Sequence, residues 1–152
     1  MNVTVLAQAI TTAVQIREKC VKIATCTTGR KYCPPIDIRG KTNLWNWCGV
    51  ASRALSMHLT EKGIRNKLIF GYFNDKTRCS EADENHCWVV VGNNIIDVTA
   101  TQFGDFPPVY VVPRNSWRYK ERNVIKDPEE FFACWGSQRP SKRILKEIEE
   151  VA

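Results

Sequence analysis

Residues 86–98 have the sequence HCWVVVGNNIIDV. The first half, HCWVVV, is rich in aromatic and β-branched residues, which favour a strand, and the GNN at 92–94 supplies residues that adopt turns with positive φ. The second half returns to an apolar run at 95–98. We therefore predict an antiparallel hairpin, with His86 at the opening of one strand and Asp97 on the other.

The segments on either side of this hairpin predict helices and further strands. The predicted elements are, in chain order, helices at 3–24 and 46–62, strands at 67–73 and 109–112, and C-terminal helices that begin at Asp127 and Ser141. Gly63 stands where a left-handed cap would end the second helix. This order predicts an α+β fold with one antiparallel sheet, in a single domain spanning residues 1–152.

Composition places the chain among ordinary globular proteins. Of its 152 residues 43% are hydrophobic and 25% are charged, close to the average for soluble domains. No apolar run approaches the roughly 18–20 residues that cross a bilayer, so no membrane span is expected. The first residues lack a basic region followed by a continuous apolar run, which predicts no signal peptide and a cytoplasmic location. Export without a signal peptide, as an effector, stays open.

The net charge of +6 favours an acidic or anionic partner. The basic residues are dispersed, apart from loose groups at 114–122 and 139–146, and neither group carries a motif that contacts the grooves of nucleic acid. We therefore interpret the charge as a solvated basic face, with nucleic-acid binding as the lesser alternative. A protein or peptide substrate is the expected partner, and the oligomeric state is not predicted.

Seven cysteines at irregular spacing do not form a disulfide framework. The chain contains no CxxC pair, so a structural zinc site has no starting point. Cys79, His86 and Cys87 could share a metal ion, but the sequence offers no evident fourth ligand. We expect reduced thiols in a reducing compartment, and no metal or cofactor.

Cys48 lies in the first turn of the predicted helix 46–62, within WNWCGVASRAL. The backbone N–H groups and the positive end of the helix dipole stabilise a thiolate at such a position. Gly49 leaves the approach to the sulfur open. The alternative interpretation is a small buried residue that packs the helix onto the sheet.

His86 and Asp97 strengthen the interpretation of Cys48 as a nucleophile. An antiparallel hairpin returns its second strand alongside its first, so Asp97 can approach His86. A carboxylate within an apolar run needs such a partner, and it can fix the imidazole tautomer. His58 lies ten residues after Cys48, about 15 Å along the helix axis, which is too far for the base. We predict a Cys48–His86–Asp97 triad, with the nucleophile helix packed on the sheet.

Residues 85–104, NHCWVVVGNNIIDVTATQFG, resemble the His–Trp…Asp–x–Thr–x–x–Gln–Phe segment of transglutaminase-like cysteine enzymes, which are related to papain. WCGVASRAL resembles their nucleophile helix, so that the likeness covers residues 44–103. In motif it is closest to the glutamine-deamidase domains of bacterial toxins and effectors. The resemblance implies a transglutaminase-like, papain-like core in which Cys48 is the nucleophile, His86 the general base and acid, and Asp97 the orienting acid.

Gln102 resembles a glutamine that deamidase-type members place near the nucleophile, which implies a role at the oxyanion site. The alternative is a loop glutamine that braces the turn after the strand. Papain-like peptidases carry a glutamine six residues before the cysteine, whereas this chain has Thr42 there. The oxyanion donor therefore stays open between Gln102, Asn43, Asn46 and a tryptophan N–H.

These features predict a cysteine amide hydrolase or acyltransferase that works through a thioester on Cys48. The likeness around 97–102 favours deamidation or transamidation of glutamine side chains on a protein. A cysteine peptidase is the alternative within the enzyme class. The alternative from another class is a non-catalytic, papain-like binding domain with a basic surface.

Overall fold

The computed structural model of the protein describes residues 2–26, 42–45, 47–74 and 84–126, together with Lys146 and Ile148. These residues form an α+β structure in which two helices pack on a five-stranded antiparallel sheet, which confirms the predicted class. The elements are α1 (Val3–Cys26), α2 (Cys48–Glu61), β1 (Lys67–Phe73), β2 (Glu84–Val91), β3 (Asn94–Asp97), a 3-10 helix (Ala100–Phe103), β4 (Tyr110–Pro113) and β5 (Tyr119–Ile125).

The C-terminal helix starts predicted at Asp127 and Ser141 lie outside the described residues. Ile148 is helical and fully buried in the core beside α1 and α2. Neither α1 nor α2 has the length and apolarity needed to cross a bilayer.

The predicted hairpin is confirmed as β2 and β3. Val91 pairs with Asn94 across a two-residue turn, and Gly92 has φ of 59°, a conformation that glycine adopts without steric cost. The prediction that His86 opens its strand is wrong, because β2 begins at Glu84. The strand starts earlier because β1 extends to Phe73 and offers ladder partners to the two polar residues ahead of His86.

Strand β5 was not predicted from the sequence. Its central residues 120–123 are polar and exposed, and only its ends, Tyr119 and Ile125, are buried. The strand lies at the edge of the sheet, whose order is β4-β3-β2-β1-β5. Charged side chains are typical of edge strands, where they discourage pairing with a second molecule. The apolar alternation that identifies a half-buried strand is therefore absent.

Helix α2 ends where the sequence predicted. Gly63 has φ of +75°, its N–H donates to the Thr60 carbonyl at 3.0 Å, and the Ile64 N–H donates to the Leu59 carbonyl at 2.9 Å. These two bonds satisfy carbonyls that the last turn leaves unpaired, and the buried side chains of Leu59 and Ile64 accompany them. The end of α2 is thereby fixed, and the rest of the helix is free to pack on β2.

The sheet is strongly curved. In a flat sheet the edge strands β4 and β5 would lie four spacings, about 19 Å, apart. Instead the rings of Tyr110 on β4 and Tyr119 on β5 have centroids 6.4 Å apart, and Arg114 after β4 donates to Glu121 on β5 at 2.6 Å. The sheet therefore curls around the face that points away from the helices.

Two apolar cores result from this curvature. The helix-side core joins α1 and α2 to one face of the sheet and includes Cys48 and Cys87. The aromatic core fills the concave face and comprises Ile69, Phe73, Trp88, Val90, Ile95, Phe103 and Tyr119. Successive residues of a strand point to opposite faces, so His86 belongs to the concave side and Cys87 to the helix side. Cys87 is fully buried there.

Candidate catalytic site

Cys48 is the first residue of α2. Trp47 precedes it as the N-cap residue, and among the described residues no side-chain hydrogen bond caps the helix start. The first N–H groups of any α-helix have no partner within the helix, so at Cys48 they are directed at whatever lies before the helix. The fully buried Trp47 anchors this end, and Cys48 itself is 3% exposed. The thiol thus lies at the positive end of α2, as the sequence predicted.

His86 and Asp97 are in direct contact. The ladder between β2 and β3 ends at the pair of Val89 and Ile96, and Asp97 follows one residue beyond it, level with Trp88. His86 precedes Trp88 by two residues on β2, so both side chains lie on the same face of the sheet. His86 is therefore a diagonal neighbour of Asp97, close enough for the two side chains to meet. His86 Nε2 and Asp97 Oδ2 are 2.6 Å apart.

Four hydrogen bonds hold the Asp97 carboxylate. Oδ1 accepts from the Thr99 backbone N–H at 2.9 Å and from the Thr99 hydroxyl at 3.4 Å. Oδ2 accepts from His86 and from the Tyr119 hydroxyl at 2.8 Å. Both oxygens of the carboxyl group therefore have hydrogen-bond partners. Because the charge and the hydrogen bond of Asp97 raise the pKa of His86, we assign the proton of their contact to Nε2.

Aromatic rings enclose the imidazole of His86. Phe73 and Phe103 meet it edge-on, with ring centroids 5.6 Å and 4.8 Å away, and Trp88 is tilted at 5.9 Å. His86 is fully buried as a result. The packed rings allow the imidazole little rotation, so its second nitrogen, Nδ1, has a fixed direction.

The thiol of Cys48, on the helix side of the sheet, raises the pKa of His86. Nδ1 is buried and makes no hydrogen bond of good geometry to any described residue. The Cys48 sulfur nevertheless raises the pKa of His86, so it lies beside the ring without a well-aligned hydrogen bond. Catalytic hydrogen bonds are often long or misaligned before a substrate binds. Since Nε2 is occupied by Asp97, Nδ1 is the nitrogen left for the thiol.

The contact between Cys48 and His86 joins the two sides of the sheet. Cys48 belongs to the helix-side core, whereas the His86 ring lies on the concave side. Because β3 ends at Asp97, the first half of β2 is paired with β1 alone. The sheet is therefore open beside His86 on the side where β3 would otherwise continue.

The pKa of His86 is raised to about 9. Burial is the largest single influence and lowers the pKa, because the buried cation loses its hydration. The charge and hydrogen bond of Asp97 oppose burial, as does the Cys48 thiol, and together they outweigh it. His86 therefore carries a positive charge at neutral pH.

Two further residues of this site were missed from the sequence, Tyr119 and Arg17. Arg17, on α1, is 8% exposed and donates through Nη1 to the Val98 carbonyl at 2.8 Å and to the Thr101 hydroxyl at 2.9 Å. It thereby ties α1 to the segment that follows Asp97. The sequence contains one indication of such residues, since a buried carboxylate has more acceptor sites than one histidine can fill. The number of acceptor sites predicts that further donors exist, but it does not identify them.

Gln102 lies in the 3-10 helix and is 5% exposed. Its Nε2 donates to the Thr99 carbonyl at 3.1 Å, a bond that braces the turn after β3. The oxyanion role of Gln102 stays a prediction. Of the other candidate donors, Asn43 is exposed and Asn46 lies outside the described residues.

The metal-binding alternative is not supported where the structure describes its members. His86 and Cys87 point to opposite faces of β2 and Cys79 lies outside the described residues. No group of three or more potential metal-ligating side chains occurs in the described part of the chain.

A thiol at a helix start, an imidazole beside it and a fixed carboxylate behind that imidazole are the three groups of the site. The sequence predicted all three residues, and they lie together in the structure. Comparison of the chain with protein-family models, with curated proteins and with solved structures gave no match. The geometry of the site and the motif resemblance are therefore the two features that bear on its chemistry.

Proposed function

We propose that the protein is a cysteine-nucleophile amide hydrolase or acyltransferase of the transglutaminase-like kind, with Cys48, His86 and Asp97 as its triad. The observation that carries the proposal is the position of His86. One ring nitrogen bonds Asp97 at 2.6 Å, and the Cys48 thiol lies close enough to raise the pKa of the same ring. In a histidine with a purely structural role, both buried ring nitrogens are expected to make hydrogen bonds. Here Nδ1 is buried beside a thiol and makes no hydrogen bond to a described residue.

The first half-reaction forms a thioester. In its neutral form, His86 takes the proton of the Cys48 thiol at Nδ1, and the sulfur attacks the carbonyl carbon of an amide. The carbon–nitrogen bond then breaks, and His86 gives the proton to the departing amine. Asp97 keeps Nε2 protonated throughout and stabilises the imidazolium. The N–H groups at the start of α2 are suited to stabilise the negative charge that develops on the carbonyl oxygen.

The second half-reaction releases the acyl group. A water molecule loses a proton to His86 and attacks the thioester, giving a carboxylate and restoring the thiol. With a glutamine side chain as substrate the result is deamidation, and with an amine in place of water it is transamidation. The motif likeness at residues 97–102 favours a glutamine side chain on a protein. Because Cys48 must remain a thiol, we include a reducing, cytoplasmic compartment in the proposal.

The proposal is tested first by the reactivity of the cysteines. Iodoacetamide labelling near pH 7, followed by peptide mass spectrometry, should modify Cys48 faster than the other six cysteines. Cys20 is an internal reference, because burial raises the pKa of its thiol to about 12 and keeps it protonated. His86→Gln should slow the labelling of Cys48, and His58→Gln should leave the rate unchanged.

A Cys48 that reacts no faster than a model thiol would contradict the assignment of the nucleophile and favour a non-catalytic binding domain. If Cys48 is activated, intact masses of candidate proteins after incubation identify the reaction. Replacement of an amide NH2 by OH indicates deamidation, a conjugate indicates acyl transfer, and a cleaved chain indicates a peptidase. Cys48→Ser must abolish the product.

A further inference from the structure

Tyr119 and His86 donate to the same oxygen of Asp97. The Tyr119 hydroxyl lies 2.8 Å from Oδ2, and His86 Nε2 lies 2.6 Å from it. We propose that Tyr119 is a positioning residue that limits how strongly Asp97 holds the charged form of His86. The inference rests on the proposed function, because it assigns to Tyr119 a role in the same triad.

The curvature of the sheet brings Tyr119 to this site. Tyr119 is the first residue of β5, and Asp97 is the last residue of β3, two strands that are separated by β2 and β1. Only the curl of the sheet around the aromatic core lets a side chain of β5 reach across to β3. The tyrosine is 6% exposed, so water does not compete for its hydroxyl group.

The remaining contacts of Asp97 show that Tyr119 is the group that competes with His86 for Oδ2. Thr99 follows Asp97 by two residues and fixes the other oxygen, Oδ1, through its backbone N–H. Thr99, which lies just after β3, therefore fixes the carboxylate plane and leaves Oδ2 to be shared between His86 and Tyr119. Each donor withdraws electron density from this oxygen, so the tyrosine weakens the hold of the carboxylate on the imidazolium.

This sharing has a chemical purpose in a two-step reaction. His86 must be charged to protonate the departing amine and neutral to take a proton from water. A carboxylate that bonded the imidazole alone would keep it charged and delay the second step. The hydroxyl of Tyr119 remains a donor throughout, since burial first and Asp97 second raise the pKa of the phenol above its usual range.

The charged and titratable groups around His86 come from four elements. Asp97 faces it from β3, Cys48 from α2 and Tyr119 from β5, while Arg17 of α1 lies near enough to Asp97 for the Asp97 charge to raise its pKa. The other described side chains that contact the imidazole are aromatic. A change in the titration of His86 after substitution of Tyr119 therefore reports on the shared oxygen.

The test is the pKa of His86, measured by NMR of the histidine ring. The chain has two histidines, so a His58→Gln background leaves His86 as the single signal. Tyr119→Phe should raise the pKa of His86 by roughly 0.5 to 1 unit, the size expected for loss of one hydrogen bond to the carboxylate. Replacement of Tyr119 by 3-fluorotyrosine, whose hydroxyl is the stronger donor, should lower it.

Tyr110→Phe is the matched control, because its ring lies 6.4 Å from that of Tyr119 and its hydroxyl bonds no group of the site. A residue that only fills space would give no shift with 3-fluorotyrosine, so the absence of a downward shift overturns the inference. It does so even if Tyr119→Phe fails to fold. Equal shifts in Tyr119→Phe and Tyr110→Phe overturn it as well.

Iodoacetamide labelling of the wild type separates the two proposals. If the pKa shifts have opposite signs as expected but Cys48 is unreactive, the link from Tyr119 to His86 is real and the proposed function fails. If Cys48 is reactive and the shifts are absent, the triad stands and the role of Tyr119 is rejected.

Discussion

His86 Nε2 and Asp97 Oδ2 lie 2.6 Å apart, and neither side chain has any exposure to solvent. The distance is at the short end for a hydrogen bond between charged groups. Burial makes an unpaired charge costly, so the positive charge of His86 depends on Asp97. Removing the charge of Asp97 is therefore expected to leave His86 neutral.

Asp97→Asn should lower the pKa of His86 from about 9 to below its ordinary value near 6.5, because burial then becomes the dominant influence. NMR titration of the histidine ring in a His58→Gln background measures the change. Asp105→Asn is the matched control, since Asp105 is exposed and lies eight residues further along the chain. A histidine that still titrates near 9 in Asp97→Asn would show that Asp97 is not its charge partner.

The stability of the protein should decrease as the pH rises above neutral. The pKa of His86 is about 9 in the folded state and near 6.5 in the unfolded state, so the folded state binds the extra proton. The contribution of His86 is complete below about pH 6.5 and is lost as the pH rises through 9. Between pH 6 and pH 8 we expect the free energy of unfolding to decrease by about 2 kcal/mol.

Urea unfolding at the two pH values checks this dependence. His86→Gln serves as the reference, because every other titrating group is the same in both proteins. The pH-dependent loss should be smaller in His86→Gln by about 2 kcal/mol. Equal losses in the two proteins would mean that folding does not raise the pKa of His86.

The sequence predicted those parts of the site that depend on local pattern. Apolar alternation and the GNN turn placed His86 and Asp97 on the two strands of one hairpin, and helical spacing placed Cys48 at a helix start. Each of these inferences uses residues within one or two adjacent elements. They failed only at a boundary, where pairing with β1 extends β2 ahead of His86.

Tyr119 and Arg17 depend instead on contacts between distant segments. Tyr119 lies 22 residues from Asp97, and Arg17 lies 81 residues from Val98. The first contact requires the curvature of the whole sheet and the second requires the packing of α1. Neither contact produces a hydrophobic periodicity in the sequence. Because the centre of β5 is polar, the sequence pattern does not predict even the strand that carries Tyr119.

Arg17→Met should destabilise the protein by about 2–3 kcal/mol, because the buried Val98 carbonyl loses a charged donor. Methionine keeps much of the volume of the arginine stem, so the loss reports on hydrogen bonding. Thermal and urea unfolding measure the difference. Arg53→Met on α2 is the control, with an expected change within about 0.5 kcal/mol. If Arg17→Met and Arg53→Met change the free energy of unfolding equally, the assigned structural role of Arg17 is wrong.

Substitution by alanine should destabilise the protein much more at Gly71 than at Gly63. Gly71 pairs with His86 across β1 and β2, and a Cβ there would overlap the Lys120 carbonyl oxygen and lie 2.7 Å from the Trp88 ring. The strand backbone cannot move without disturbing the His86 pairing, so Gly71→Ala should cost at least about 3 kcal/mol.

At Gly63 a Cβ would meet no atom within 4 Å. The cost of Gly63→Ala is confined to its φ of +75°, which is about 1 kcal/mol for a residue with a side chain. Urea unfolding of both variants gives the comparison, and NMR of the histidine ring shows whether Gly71→Ala also displaces His86. If Gly71→Ala is no more destabilising than Gly63→Ala, the close approach of β5 to β1 beside the site is wrong.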